Sequence, residues 1–206
     1  MEAGLRQLNT DYIDLLHLHL WDFTTPVEEI LRGMDDLVRH NLIERTGERD
    51  LIPMAHELGL GVIPWSPLAG GVLTGKYSRD DLTEANVASD DGTRKSFNFA
   101  LGTLTERNLA IADVVKEVAA ELGRTPAQVG LAWTLRNPGV TAPIIGARTP
   151  AQLEDNLGAL EFDFTASQLA RLNEASAIAL GFPHDMLARD STRALTRGDV
   201  RLEPRR

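Results

Sequence analysis

Apolar residues recur along this chain in two rhythms, short runs and a three-and-four spacing. Tyr12-Ile13-Asp14-Leu15-Leu16-His17-Leu18-His19 is brief and largely apolar, the pattern of a buried parallel strand. Thr25-Pro26-Val27-Glu28 then opens a helix. Thr25 caps it, Pro26 suits the first turn and Glu28 completes a capping box. Val27, Ile30, Leu31, Met34, Leu37 and Val38 return on one helical face, so strand and helix together predict a βα unit. A short helix near 50–58, closed by Gly59, leads to a second strand, Gly61-Val62-Ile63-Pro64-Trp65. The turn-forming Ser66-Pro67-Leu68-Ala69-Gly70-Gly71 follows it. From Ser78 to Gly102 the chain is polar and aperiodic, which predicts a flexible loop or a functional lid. Helices resume from Thr105 to Leu122 and from the box Thr125-Pro126-Ala127-Gln128. A third strand is expected over Val140-Thr141-Ala142-Pro143-Ile144-Ile145-Gly146. Thr149-Pro150-Ala151-Gln152 and Thr165-Ala166-Ser167-Gln168 open two further boxed helices, and the polar tail 190–206 is expected to fray.

Short strands separated by helices make an α/β protein, read here as one domain over 1–206. Only three strands stand among six or seven helices, too few to close a barrel. Charge narrows the partners. Lys plus Arg is 21 against 30 Asp plus Glu, a formal net charge of -9, whereas nucleic acid and anionic membranes call for a basic face. Cysteine is absent, which excludes disulfides, thiolate nucleophiles and Cys-ligated zinc. The first residues lack the apolar run of a signal peptide, and no stretch approaches the ~18 apolar residues of a membrane span. A cytoplasmic protein without membrane or nucleic-acid partners is the expectation.

Three segments carry candidate chemistry. His17 and His19 share one face at the C-terminal end of the first strand, where α/β folds place ligands. Two imidazoles alone do not make a metal site: His40, His56 and His184 are on no other strand end, so no metal is expected. Either histidine is equally well read as a packed core residue. Trp65 ends the second strand, where core packing is the ordinary role, yet glycines, a hydroxyl and Lys76 follow it. That context suits a flat ring stacked on Trp65 with a phosphate nearby. Gly146-Ala147-Arg148 joins the third strand to a helix start, an arrangement open to an anion, with Arg148 as a fork-shaped cation. Neither a GxGxxG fingerprint nor a P-loop is present.

Four stretches together resemble the aldo-keto reductases, and most closely their bacterial branch that is also similar to potassium-channel β-subunits. They are residues 8–19 (LNTDYIDLLHLH), 41–45 (NLIER), 62–76 (VIPWSPLAGGVLTGK) and 143–156 (PIIGARTPAQLEDN). The resemblance implies a (β/α)8 TIM barrel that reduces aldehydes or ketones with NADPH. It implies His19 as the residue that orients the carbonyl and Trp65 as the aromatic stacked on the nicotinamide. Ser66, Pro67, Leu68, Ala69, Gly70 and Lys76 match the pyrophosphate side. Gly146, Arg148, Gln152, Asp155 and Asn156 match the segment that holds adenine and the 2'-phosphate, with Arg148 favouring NADPH.

Departures from the family pattern are large. Its catalytic Asp, Tyr and Lys have no counterpart, and the two tyrosines, Tyr12 and Tyr77, match neither the position nor the role of the acid. Near 40–41 the chain passes from the helix after the fourth strand straight to a motif that belongs after the sixth. The expectation is therefore an incomplete (β/α)8 barrel that keeps the equivalents of strands 4, 7 and 8. Reduction would be impaired for want of the proton donor. Alternatives left open are a non-catalytic NADPH-binding or regulatory module and a gene remnant without function. A small carbonyl compound is the expected substrate, and open barrel edges would favour self-association.

Overall fold

The computed structural model describes residues 39–82 and 94–196; the predicted strand at 12–19, the helix at 25–38 and the end of the tail lie outside the described residues. Among the described residues eight α-helices follow in chain order: α1 Leu51–Glu57, α2 Arg94–Ala100, α3 Glu106–Leu122, α4 Pro126–Leu135, α5 Pro150–Leu157, α6 Ala166–Ala175, α7 His184–Leu187 and α8 Asp190–Thr196. Four 3-10 turns, Thr46–Glu48, Ala69–Thr74, Arg79–Leu82 and Gly158–Leu160, fill the connections.

Local signals set the helix ends. Thr105 accepts the Asn108 N–H at 3.2 Å, and Gly123 ends α3 in the left-handed conformation (φ 63). Thr125 and Thr165 both form complete capping boxes with Gln128 and Gln168. Thr149 caps α5 through the Gln152 N–H, but the Gln152 side chain turns to the Arg148 N–H at 2.8 Å instead of closing the expected box.

Packing centres on α4, buried continuously from Ala127 to Thr134. On one side stand α3, through Leu109, Ile111, Val115 and Val118, and the Ala69–Thr74 turn, through Val72 and Leu73. On the other stand α5 and the Gly158–Leu160 turn, where Leu131 and Ala132 meet Ala159. Contact is close enough that a Cβ on Gly130 would lie 3.3 Å from Leu68 Cδ2. Trp133 donates from its indole N–H to Asn173 Oδ1 at 3.0 Å, which ties α4 to α6.

Regular strands do not form at 61–65 and 140–146. The two segments do lie side by side: the Thr141 N–H reaches Val62 O at 2.8 Å and the Ile144 N–H reaches Pro64 O at 2.8 Å. A parallel ladder in this register next needs the N–H groups of residues 64 and 143, and both are prolines. The pairing therefore stays a pair of extended segments, with one isolated parallel bridge between Arg39 and Trp65 as the β-type contact among the described residues.

In the polar stretch 78–102, of which 83–93 lie outside the described residues, the described parts differ from the expected loop. They contain Arg79–Leu82 and α2, joined by a Lys95–Asp81 ion pair of 2.7 Å, and Arg79 reaches Glu106 and Asp113 on α3 at 2.8 Å each. Helical periodicity is invisible here because α2 buries a polar residue, Asn98, while Phe97 and Phe99 are exposed. The start of the tail is likewise helical, as α8, packed against α7.

Beside Trp133 lies a buried titratable group. His40 is fully inaccessible, its ring 5.3 Å from that of Trp133, and neither ring nitrogen has a hydrogen-bond partner. Nε2 stands 3.7 Å from Glu48 Oε1. Burial depresses its pKa, aided by Arg45; Glu48 and Glu44 oppose the shift without cancelling it. The unfolded chain therefore takes up the proton first. This contribution to stability is complete above about pH 6.5 and lost as the pH falls below it. Denaturant unfolding should show that decline as the pH drops below about 6.5. A His40→Phe variant, which keeps a ring against Trp133, should have a shallower slope. Equal slopes in the two proteins would remove His40 from the account.

Candidate functional site

An open cleft of about 950 Å³ lies between the Ser66–Gly71 turn, the N-terminal end of α4 and the Gly146–Asn156 segment. One wall is a strained turn. Ser66 (φ 53) and Ala69 (φ 49) hold left-handed backbone, which costs a non-glycine residue on the order of 1–3 kcal/mol, and Gly70 (φ 65) and Gly71 (φ 92) continue it. Buried Asn41 supports the turn by donating from Nδ2 to Ser66 O at 3.0 Å, and the Gly70 N–H donates to Ser66 Oγ at 3.3 Å. A Cβ would collide with a buried amide at Gly70, whereas at Gly71 the left-handed φ is what favours glycine, the nearest atoms being the movable end of Lys76. At Gly70 the Cβ would fall 2.1 Å from Asn98 Oδ1, and at Gly71 it would fall 2.8 Å from Lys76 Cε.

The facing wall comes from α5 and the residues before it. Arg148 and Gln152 are linked through the Arg148 N–H, while Asp155 accepts from Thr125 Oγ1 at 3.1 Å and from Gln128 Nε2 at 3.2 Å. These contacts hold α5 against the cap of α4. A Cβ on Gly158 would strike Gln128 Nε2 at 2.3 Å, so glycine there admits the amide that reaches Asp155.

Charge on the lining is opposite to that of the chain. Lys76, Arg94 and Arg148 face the cleft with Asp155 as the carboxylate among its described lining residues, although the whole chain carries a formal -9. Both oxygens of the Asp155 carboxylate already accept, one from the Thr125 hydroxyl and one from the Gln128 amide nitrogen. The cleft suits an extended ligand with more than one anionic group.

Ten of the twelve candidate cofactor residues line this space: Ser66, Pro67, Leu68, Gly70, Lys76, Gly146, Arg148, Gln152, Asp155 and Asn156. Ala69 is fully buried beneath the turn. Trp65 stands outside the lining at 42% exposure, with the Arg39 guanidinium 5.5 Å from its ring centre. His19 lies outside the described residues. Arg94, Thr125 and Gly71 also line the cleft without having been singled out for ligand chemistry. Thr125 carries a capping-box signature that reads as purely structural, and Arg94 sits in the stretch that lacks periodicity. Among the described residues no group of three His, Cys, Asp or Glu is placed to hold a metal ion.

A sequence model of the aldo/keto reductase family matches residues 1–47 and 38–177, together most of the chain. The chain belongs to the aldo/keto reductase family. An oxidoreductase of Bacillus subtilis (strain 168), YrpG, is 33% identical over 212 residues, with 84% of this chain and 61% of that protein covered. A probable voltage-gated potassium channel subunit beta of Oryza sativa subsp. japonica is 30% identical, covering 78% and 60%. An NADP(+) aryl-alcohol dehydrogenase of Phanerodontia chrysosporium is 26% identical, covering 88% and 56%. This reductase-family chain thus spans about three fifths of the length of the curated relatives it matches. The family fold is a (β/α)8 barrel. No helix among the described residues is long and apolar enough to cross a membrane.

Thr125 joins the cap of α4 to the α5 wall, so its loss should be felt in both. Thr125→Ala removes the acceptor for the Gln128 N–H and the donor to Asp155, and should destabilise the chain by about 0.5–2 kcal/mol in urea unfolding. An unchanged midpoint would mean that neither bond contributes.

Proposed function

We propose that this chain binds NADPH in the cleft and that its chemistry is that of an NADPH-dependent reductase of aldehydes or ketones. The observation that carries the reading is the convergence of Lys76, Arg94 and Arg148 on one cleft of a strongly acidic chain, between a bare glycine turn and the start of α5. Those residues fit the group. The guanidinium of Arg148 suits a phosphate monoester, as on the 2'-position of NADPH, and Gln152, Asp155 and Asn156 offer polar atoms to adenosine. Lys76 and the Ser66–Gly71 turn suit a pyrophosphate, and Trp65 at the lip offers a flat face for the nicotinamide. When bound, the nucleotide supplies hydride. His19 would orient the carbonyl, and the location expected for the protein is the cytoplasm.

Reduction by these 206 residues is proposed to be impaired. Tyrosine occurs only at 12 and 77, and the Tyr77 hydroxyl already accepts from Asn98 Nδ2 at 3.2 Å. Loss of a general acid typically costs about 10²–10⁴-fold in rate. The barrel is proposed to be incomplete, keeping the segments equivalent to strands 4, 7 and 8, of which 61–65 and 140–146 lie side by side without forming regular strands. Two observations support an internal junction near 40–41. The family matches overlap at 38–47, as they would if the segment between were missing. The alignment with YrpG spans 212 positions but covers 84% of a 206-residue chain, about 173 residues, so about 39 positions lack a counterpart. Self-association through open edges would follow from such a cut.

A second reading, a non-catalytic NADPH-binding or regulatory module, is favoured by the preserved cleft beside the missing acid. A gene remnant without function is the third. Thermal unfolding with and without NADPH separates them. A ligand of the native state adds about 2.7 kcal/mol at one hundred times its Kd, so the transition should move upward, and Arg148→Ala should abolish most of the shift. Steady turnover of a simple aldehyde by the pure chain would overturn the impairment. A transition indifferent to NADPH would overturn binding, and the absence of a cooperative transition would favour the remnant.

A further inference from the structure

Lys76 is the cleft's cation on the glycine side, yet it is an exposed side chain on a turn and nothing in its own backbone fixes its ammonium. What surrounds it does. Its stem lies across Gly71, where a Cβ would meet Cε at 2.8 Å and Nζ at 2.9 Å, and Nζ sits 4.9 Å from the centre of the Tyr77 ring. Tyr77 in turn is held by Asn98 of α2, whose Nδ2 donates to the Tyr77 hydroxyl at 3.2 Å and to the Gly70 carbonyl at 3.0 Å. Asn98 is 2% exposed, its Oδ1 occupies the space that a side chain at residue 70 would need, and its own carbonyl accepts from the Thr103 and Leu104 N–H groups. A buried amide on a seven-residue helix is a costly choice unless it is fully engaged. An apolar residue there would leave the Gly70 carbonyl and the Tyr77 hydroxyl without this donor.

We infer that Asn98 is a positioning residue for anion binding: through the Gly70 carbonyl and the Tyr77 hydroxyl it fixes both the backbone of the glycine turn and the cation Lys76. The same helix presents Arg94 to the cleft, so one docked element sets two of the three cations. Asn98 touches no ligand and acts only through the turn. The inference rests on the NADPH reading of the cleft for its ligand, but not for the hold on the turn.

Two measurements on the full chain test it separately. In the free protein, amide hydrogen exchange of Asn98→Ala should rise severalfold within 66–77 while α3 and α4 keep the protection of the parent. In NADPH titrations Asn98→Ala should bind about tenfold more weakly, the scale of one lost hydrogen bond, and Tyr77→Phe should weaken binding in the same direction. The double variant of Asn98→Ala with Lys76→Met should lose less than the product of the two single effects, because part of what Asn98 does passes through that cation. A purely structural role would instead raise exchange across α3 and α4 as well, or would give effects that multiply, and either result overturns the inference. So does unchanged exchange within 66–77. If Asn98→Ala does not fold, Tyr77→Phe carries both measurements, since it removes one hydroxyl from a partly exposed ring. A parent chain that fails to bind NADPH overturns the proposed ligand, and the exchange experiment still decides whether Asn98 holds the turn.

Discussion

The constraint on which the described structure depends is the burial of α4, a ten-residue helix with no side for water. From Ala127 to Thr134 every residue is enclosed, including Gln128 and Thr134, whose polar atoms must find partners inside. They do: the Thr134 hydroxyl donates to Gly130 O, and Gln128 closes the Thr125 capping box while reaching Asp155. A helix of this kind cannot be stable alone. It needs α3 and the Ala69–Thr74 turn on one side and the α5 wall on the other; Gly130 lets Leu68 and Leu73 come close, and Gly158 admits the Gln128 side chain.

That requirement has a consequence for the cleft. The polar bonds that satisfy α4 are the same ones that seat α5, so the core and the ligand wall share atoms at Thr125, Gln128 and Asp155. On the opposite wall, left-handed backbone at Ser66 and Ala69 is tolerated because Asn41 and Asn98, both buried, tie down the carbonyls of Ser66 and Gly70. Buried amides on each side of the turn thus offset strain that loops facing solvent seldom carry.

Arginine performs a similar service at the other end of the molecule. Arg45 pairs with Glu48 at 2.8 Å, lies 5.1 Å over Trp133 and donates to Asn173 O and Ser176 Oγ. Arg107 reaches the carbonyls of Ile43, Ser176 and Ala177. These forks stitch the short segment after His40 to the end of α6, where neither side offers a strand or a long helix to pack. Arg45 also acts on His40, whose ring nitrogens are buried without partners and whose pKa burial holds down.

Much of this was legible in the residues themselves. Helix starts at Thr105, Thr125, Thr149 and Thr165 and the turn at Ser66–Gly71 follow from capping and glycine chemistry, which are local. The joint motifs around Trp65 and Arg148 are specific enough to identify the family and most of the cleft wall. Two features were beyond local reading. Whether an apolar run becomes a strand depends on its partner's donors, and Pro64 and Pro143 cancel each other's ladder only when the two segments lie in the observed register. The helical state of α2, and with it the place of Arg94, depends on Asn98 finding Gly70 and Tyr77 far along the chain. A polar residue that pays for its burial with distant partners leaves no periodic trace, so only the tertiary structure decides its role.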